Sequence, residues 1–118
     1  MFYIKKSKDK YGTTYNIVLT RGDTFVCTVE PKVKSTGEPY TPEQGDEIRF
    51  AMKQDYSDTE PLIEKAIPTN TCILQLDPLD TKELPFGDYV YDIQITMAAS
   101  GYVDTFIRGE MTLAEEVE

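Results

Sequence analysis

A chain of 118 residues, 40% apolar and 28% charged, is long enough for one domain with its own core and too apolar for general disorder. Twenty-one Asp and Glu against twelve Lys and Arg leave a net charge of −9, which repels a phosphate backbone and an anionic membrane surface. No run approaches the roughly 18 apolar residues of a membrane helix, and the absence of histidine excludes Ser–His and Cys–His nucleophiles and the commonest metal ligand.

Met1-Phe2-Tyr3-Ile4-Lys5-Lys6 lacks the apolar stretch of a secretory signal. Lys5, Lys6, Lys8 and Lys10 read as a solvated end, and residues 1–13 as an N-terminal hairpin closed by Lys10-Tyr11-Gly12-Thr13. An eighth strand at Phe2–Lys6 would add to seven others. Tyr15, Ile17 and Leu19 alternate with polar or smaller neighbours and predict a strand. Arg21-Gly22-Asp23 then predicts a tight turn, because glycine permits positive φ and Asp bonds nearby backbone. The same three letters spell an integrin-binding tripeptide, but a match that short carries little weight against a plain turn. Phe25, Cys27 and Val29 predict the next strand.

A surface loop runs through Ser35-Thr36-Gly37-Glu38-Pro39 to Glu43-Gln44-Gly45-Asp46. Ile48, Phe50 and Met52 then alternate inward in a further strand. Asp55-Tyr56-Ser57-Asp58-Thr59-Glu60 offers oxygen ligands but no glycine, which argues against a calcium loop. Shorter strands are expected at Leu62–Ile67 and Cys72–Leu76. Asp77 as N-cap, Pro78 at the first helical position and Asp80 three residues after the cap predict one helical turn near 78–83. Pro85 stops it. Tyr89, Tyr91, Ile93, Ile95 and Met97 alternate over the longest strand. Ala98-Ala99-Ser100-Gly101 turns the chain into Val103–Leu113, where Gly109 reads as a bulge, and 114–118 as a frayed acidic tail.

Seven to eight strands at short spacing with one helical turn predict an all-β, immunoglobulin-like antiparallel β-sandwich spanning 1–118 as a single domain. Asp77, Pro78, Gly87, Tyr89 and Tyr91 form the expected corner, in which a tyrosine hydroxyl returns to the backbone. Tyr89 is the first candidate for that bond and Tyr91 the second. Cys27 and Cys72 read as buried thiols rather than a disulfide or a zinc site. The acidic pairs Asp77/Asp80 and Asp46/Glu47 read as capping and solvation rather than as acid–base machinery. Catalytic, metal and cofactor-binding residues are therefore not expected. Tyr40, Tyr56 and Tyr102, in or beside loops, are the candidate surface contacts.

Leu19-Thr20-Arg21-Gly22-Asp23-Thr24, Gly37-Glu38-Pro39-Tyr40, Gly45-Asp46-Glu47-Ile48-Arg49-Phe50, Leu76-Asp77-Pro78-Leu79-Asp80-Thr81 and Gly87-Asp88-Tyr89-Val90-Tyr91-Asp92-Ile93 follow one another in that order. Over residues 16–113 this resembles the small immunoglobulin-like module of phage and prophage tail or baseplate proteins, such as the N-terminal domain of baseplate upper proteins. The resemblance implies a virion structural protein, acting as a tail or baseplate accessory or connector by protein–protein contacts. It would be made in the host bacterial cytoplasm and carried in the virion. Its partners would be other phage structural proteins, with a homo-oligomer an open alternative and with neither nucleic acid nor membrane insertion. The competing expectation is a carbohydrate-binding or adhesive module that recognises a bacterial surface through exposed aromatics.

Overall fold

A computed structural model describes residues 2–9, 12–32 and 38–115. Eight strands and one short helix follow in chain order: β1 (Phe2–Asp9), β2 (Gly12–Thr20), β3 (Phe25–Thr28), β4 (Glu47–Lys53), β5 (Ile63–Ile67), β6 (Ile73–Leu76), α1 (Pro78–Lys82), β7 (Gly87–Thr96) and β8 (Val103–Ala114). They form two sheets, ordered β1-β2-β8-β7-β4-β5 and β3-β6. The protein is thus an all-β sandwich with one small helical turn and two very unequal layers.

Alternation builds the core. Ile48, Phe50 and Met52 of β4, and Tyr89, Tyr91, Ile93 and Ile95 of β7, are buried on one face of the large sheet. Phe25 and Val29 from the β3 side and Leu74 and Leu76 of β6 close over them. The small sheet has a ladder of only four residue pairs, Phe25↔Leu76 to Thr28↔Ile73. Two such strands cannot span six, so among the described residues part of the large sheet's apolar face has no second layer above it.

The sandwich is not wholly antiparallel, as the alternation had suggested. β2 pairs with β8 in parallel over Ile17↔Met111 to Thr20↔Ala114. The reason lies in the first hairpin. β1 folds back on β2 along its full length, from Phe2↔Leu19 to Asp9↔Gly12, so the hairpin extends to Thr20 rather than ending at residue 13. β2 then ends at the same pole as β8, where the Arg21 amide donates to the Ala114 carbonyl at 3.0 Å. Ala114 accordingly belongs to the last strand instead of a frayed tail; residues 116–118, and Lys10 and Tyr11 of the expected hairpin turn, lie outside the described residues.

Gly109 has a role other than the expected bulge. The register of β7 against β8 shifts between Ile93↔Ile107 and Gln94↔Thr105, which leaves Phe106 as the extra residue. Gly109 instead lies directly under β2. A Cβ there would fall inside contact distance of the Tyr15 carbonyl oxygen and 2.8 Å from its carbon. Only glycine permits that approach.

The helical turn spans Pro78–Lys82, with Asp77 as N-cap in extended conformation and Pro78 in the first turn. Asp80 Oδ2 accepts the Asp77 amide at 2.7 Å and also meets Lys65 Nζ of β5 at 2.9 Å. One carboxylate therefore caps the turn and ties it to the large sheet. No described helix is long and apolar enough to cross a membrane.

Candidate functional site

Two places in the fold gather the residues singled out in the sequence. The first is the corner at α1. Tyr89 Oη donates to the Pro85 carbonyl at 2.6 Å, pinning the start of β7 to the segment after the helix. Gly87 supplies φ +139 at the entry. The Arg21-Gly22-Asp23 turn, 59 residues earlier in chain from its hydroxyl partner, packs on the same corner. The Gly22 amide donates to the fully buried Thr81 hydroxyl at 2.9 Å, and Arg21 Nη1 donates to the Leu84 carbonyl at 3.2 Å. The guanidinium also lies 4.1 Å from the centre of the Phe86 ring, within cation–π range. These bonds spend Arg21 and Gly22 inside the molecule, so this tripeptide is a structural clasp. The sequence marks the turn and the corner separately; that they meet is a tertiary fact without a local signal.

Tyr91, the second corner candidate, bonds elsewhere. Its hydroxyl donates to the Tyr15 carbonyl, above Gly109. Beside it, Asn16 Oδ1 accepts the Glu110 amide at 3.0 Å. These two side chains continue the β2–β8 seam where the backbone ladder stops at Ile17. Burial, with a smaller contribution from the nearby Cys27, raises the Tyr91 phenol well above its ordinary pKa, so it stays a donor.

Beyond this seam the β1–β2 hairpin and β8 diverge, and the second place opens there. It is an apolar groove of about 590 Å³. Its floor is the uncovered face of the large sheet, with Ile93, Phe106 and Ile107. The Phe106 bulge is why two successive β8 residues line it. Ile4, Tyr15 and Ile17 of the hairpin form one wall, and Cys27 to Glu30 form the other. Lys6 and Lys32 stand on its border, with Lys6 Nζ 5.6 Å from the Tyr15 ring centre. Ile4 is 44% exposed, unusual for an aliphatic side chain facing an apolar hollow.

Both cysteines are free thiols. Cys27 faces the groove, and burial pushes its pKa up to about 11. Cys72 closes the turn before β6 with its amide bonded to the Pro68 carbonyl at 2.7 Å, and it holds φ +55, a left-handed conformation rare for any residue but glycine. Among the described residues no three His, Cys, Asp or Glu side chains stand together as metal ligands.

The three loop tyrosines occupy different settings. Tyr40 is half-buried, and its hydroxyl donates to Asp46 Oδ2 at 2.7 Å. Asp46 also accepts the Glu43 amide at 2.8 Å and the Ala98 amide at 2.9 Å, joining the β3–β4 connection to the β7–β8 turn at one end of the sandwich. The Tyr40 hydrogen bond, followed by the two amides, holds the Asp46 carboxyl below its ordinary pKa, while the same bond pushes Tyr40 up to about 12. Tyr56, 56% exposed, lies against Arg108 and Asp92 on the outer face of the large sheet. Tyr102, 70% exposed, sits in the β7–β8 turn, where its carbonyl accepts the Met97 amide at 2.8 Å.

The groove was not legible in the sequence. Its lining comes from both ends and the middle of the chain, and each lining residue by itself reads as ordinary core. The one usable signal was the surplus of alternating residues over what a two-stranded partner sheet can cover. Set against known proteins, the chain matches no family model and no curated protein.

Proposed function

We propose that this protein is a docking module that works by protein–protein contact, and that it serves as an accessory or connector in a phage or prophage tail. The observation that carries the docking part is the groove: an apolar hollow open to solvent, floored by a sheet face that a full second layer would ordinarily cover. A surface of that kind suits a protein partner, because burying it gains about 25 cal/mol per Å². The tail assignment draws on the ordered turn and corner segments from Leu19 to Ile93, which resemble tail and baseplate modules and whose residues build the clasp and seam of this sandwich.

Mass spectrometry of purified particles tests the assignment. Tails purified from the phage or induced prophage encoding this chain should contain it in stoichiometric amount. Its absence from them would refute the tail role. Tyr40 is tied to Asp46 and Tyr56 lies against Arg108, so the adhesive alternative draws on Tyr102, 70% exposed in the β7–β8 turn, rather than on a cluster of three tyrosines.

A further inference from the structure

We infer that the groove receives an extended, acidic segment of a partner protein, which adds to the free edge of β3 as a third strand of the small sheet. This rests on the docking role proposed above and specifies its mode. The Val29 amide donates to the Cys72 carbonyl, so the backbone of Val29 faces β6. Period two then turns the N–H and C=O groups of Val26 and Thr28 to the opposite side. β3 has β6 as its one ladder partner among the described strands, and that opposite side is the one bordering the groove. A strand laid there finds backbone partners in Val26 and Thr28 and puts alternate side chains on Ile93, Phe106 and Ile107. Main-chain pairing with pockets for every second side chain is the general form of strand addition.

Charge selects the occupant. Residues 1–10 carry four lysines and one aspartate, a net +3, so the remainder of the chain carries −12 within the total of −9. Most of that positive segment is β1, which borders the groove with Lys6, while Lys32 stands on the other side. Glu30 is the single acid in the lining. An acidic segment therefore meets a locally basic border on an otherwise repelling surface. The β1 strand of a second copy does not suit the same place, because it would set its own lysines beside Lys6 and Lys32.

The test is an NMR titration at low salt with two synthetic ten-residue peptides sharing an alternating valine–threonine centre, one flanked by glutamates and one by lysines. The glutamate peptide should bind at least tenfold more tightly, with the gap closing as salt is added, and should protect the Val26 and Thr28 amides from exchange. Thr28→Pro removes a donor aimed at the peptide and spares the β6 ladder, so it should weaken binding at least tenfold. The paired charge reversal Lys6→Glu, Lys32→Glu leaves the backbone alone and should invert the peptide preference, which decides the matter if the proline variant fails to fold. Equal binding of both peptides, or protection at β1 or β5 instead of β3, would overturn the proposal. So would a peptide-free dimer that protects Val26 and Thr28, since it would assign the groove to a second copy. A protein present in purified tails whose β3 stays unprotected by either peptide would keep the tail role and lose the strand-addition mode.

Discussion

Gly109→Ala is the sharpest probe of how this sandwich closes. The φ of Gly109 lies outside the left-handed region, so backbone strain does not enter. On conformational entropy alone, alanine should stabilise by about 0.4–1 kcal/mol. The structure demands the reverse sign. The added methyl would overlap the Tyr15 carbonyl, and β2 must move off β8 to relieve it. Overpacking of this kind costs about 1–3 kcal/mol. The displacement also breaks the Tyr91–Tyr15 and Asn16–Glu110 hydrogen bonds, each worth about 1 kcal/mol net. Set against the entropic gain, the combined loss is about 2–5 kcal/mol, a large part of the 5–15 kcal/mol typical of a domain. At about 2.1 cal/mol/K per residue, unfolding entropy converts this to a fall in Tm of roughly 8–20 °C. Scanning calorimetry beside Tyr91→Phe gives the comparison. That variant loses the hydroxyl alone and should fall by about 1–2 kcal/mol, and the double variant should fall by less than the sum, because both changes damage one seam. A Gly109→Ala protein as stable as the parent would refute the close approach of β2 and β8.

Further expectations follow from the other contacts. Tyr89→Phe should lower stability by about 1 kcal/mol in a urea melt, through loss of the bond to Pro85. Asp46, with its pKa lowered in the folded state, contributes stability that is present above its ordinary pKa and is lost as pH falls through the folded value. Asp46→Asn should therefore flatten the acid limb of the stability–pH curve relative to the parent; Asp92, which burial shifts the other way, is common to both proteins and cancels. Tyr40 mirrors this at the alkaline end: its contribution is full below about pH 10 and lost as pH rises through about 12, so Tyr40→Phe should level that limb. With its pKa near 11, Cys27 should be about one thousandth thiolate at pH 8, and mass spectrometry should show it alkylated far more slowly in the folded protein than in urea.

Much of the architecture was written in local pattern. The alternation through Ile48–Met52 and Tyr89–Met97 placed the longest buried strands, and Asp77-Pro78 with Asp80 placed the helical turn to within a residue. Such features declare themselves because strand faces, caps and prolines act on their immediate neighbours. What failed to show was long-range. Nothing near Tyr15 announces a parallel partner ninety residues away, and Gly109 reads as an interruption of a strand until Tyr15 is laid across it. The Asp46 junction reads as turn solvation until Tyr40 and Ala98 arrive. The groove escaped for a related reason: a face that the described strands leave uncovered is marked by no residues of its own.

The position of β8 between β2 and β7 bears on how the chain reaches its native state. Among the described strands β8 comes last in the sequence yet is third from the edge of the large sheet, so the hairpin β1–β2 lacks its sheet neighbour until Ala114 has emerged. Assembly of the large sheet must wait for β8, with closure of the long loop between β2 and β8 as a late and slow event. Nascent chains stopped before Val103 would expose the flank of β7 and an orphaned hairpin, a combination prone to aggregation and cleared by proteases rather than stored as a partial fold.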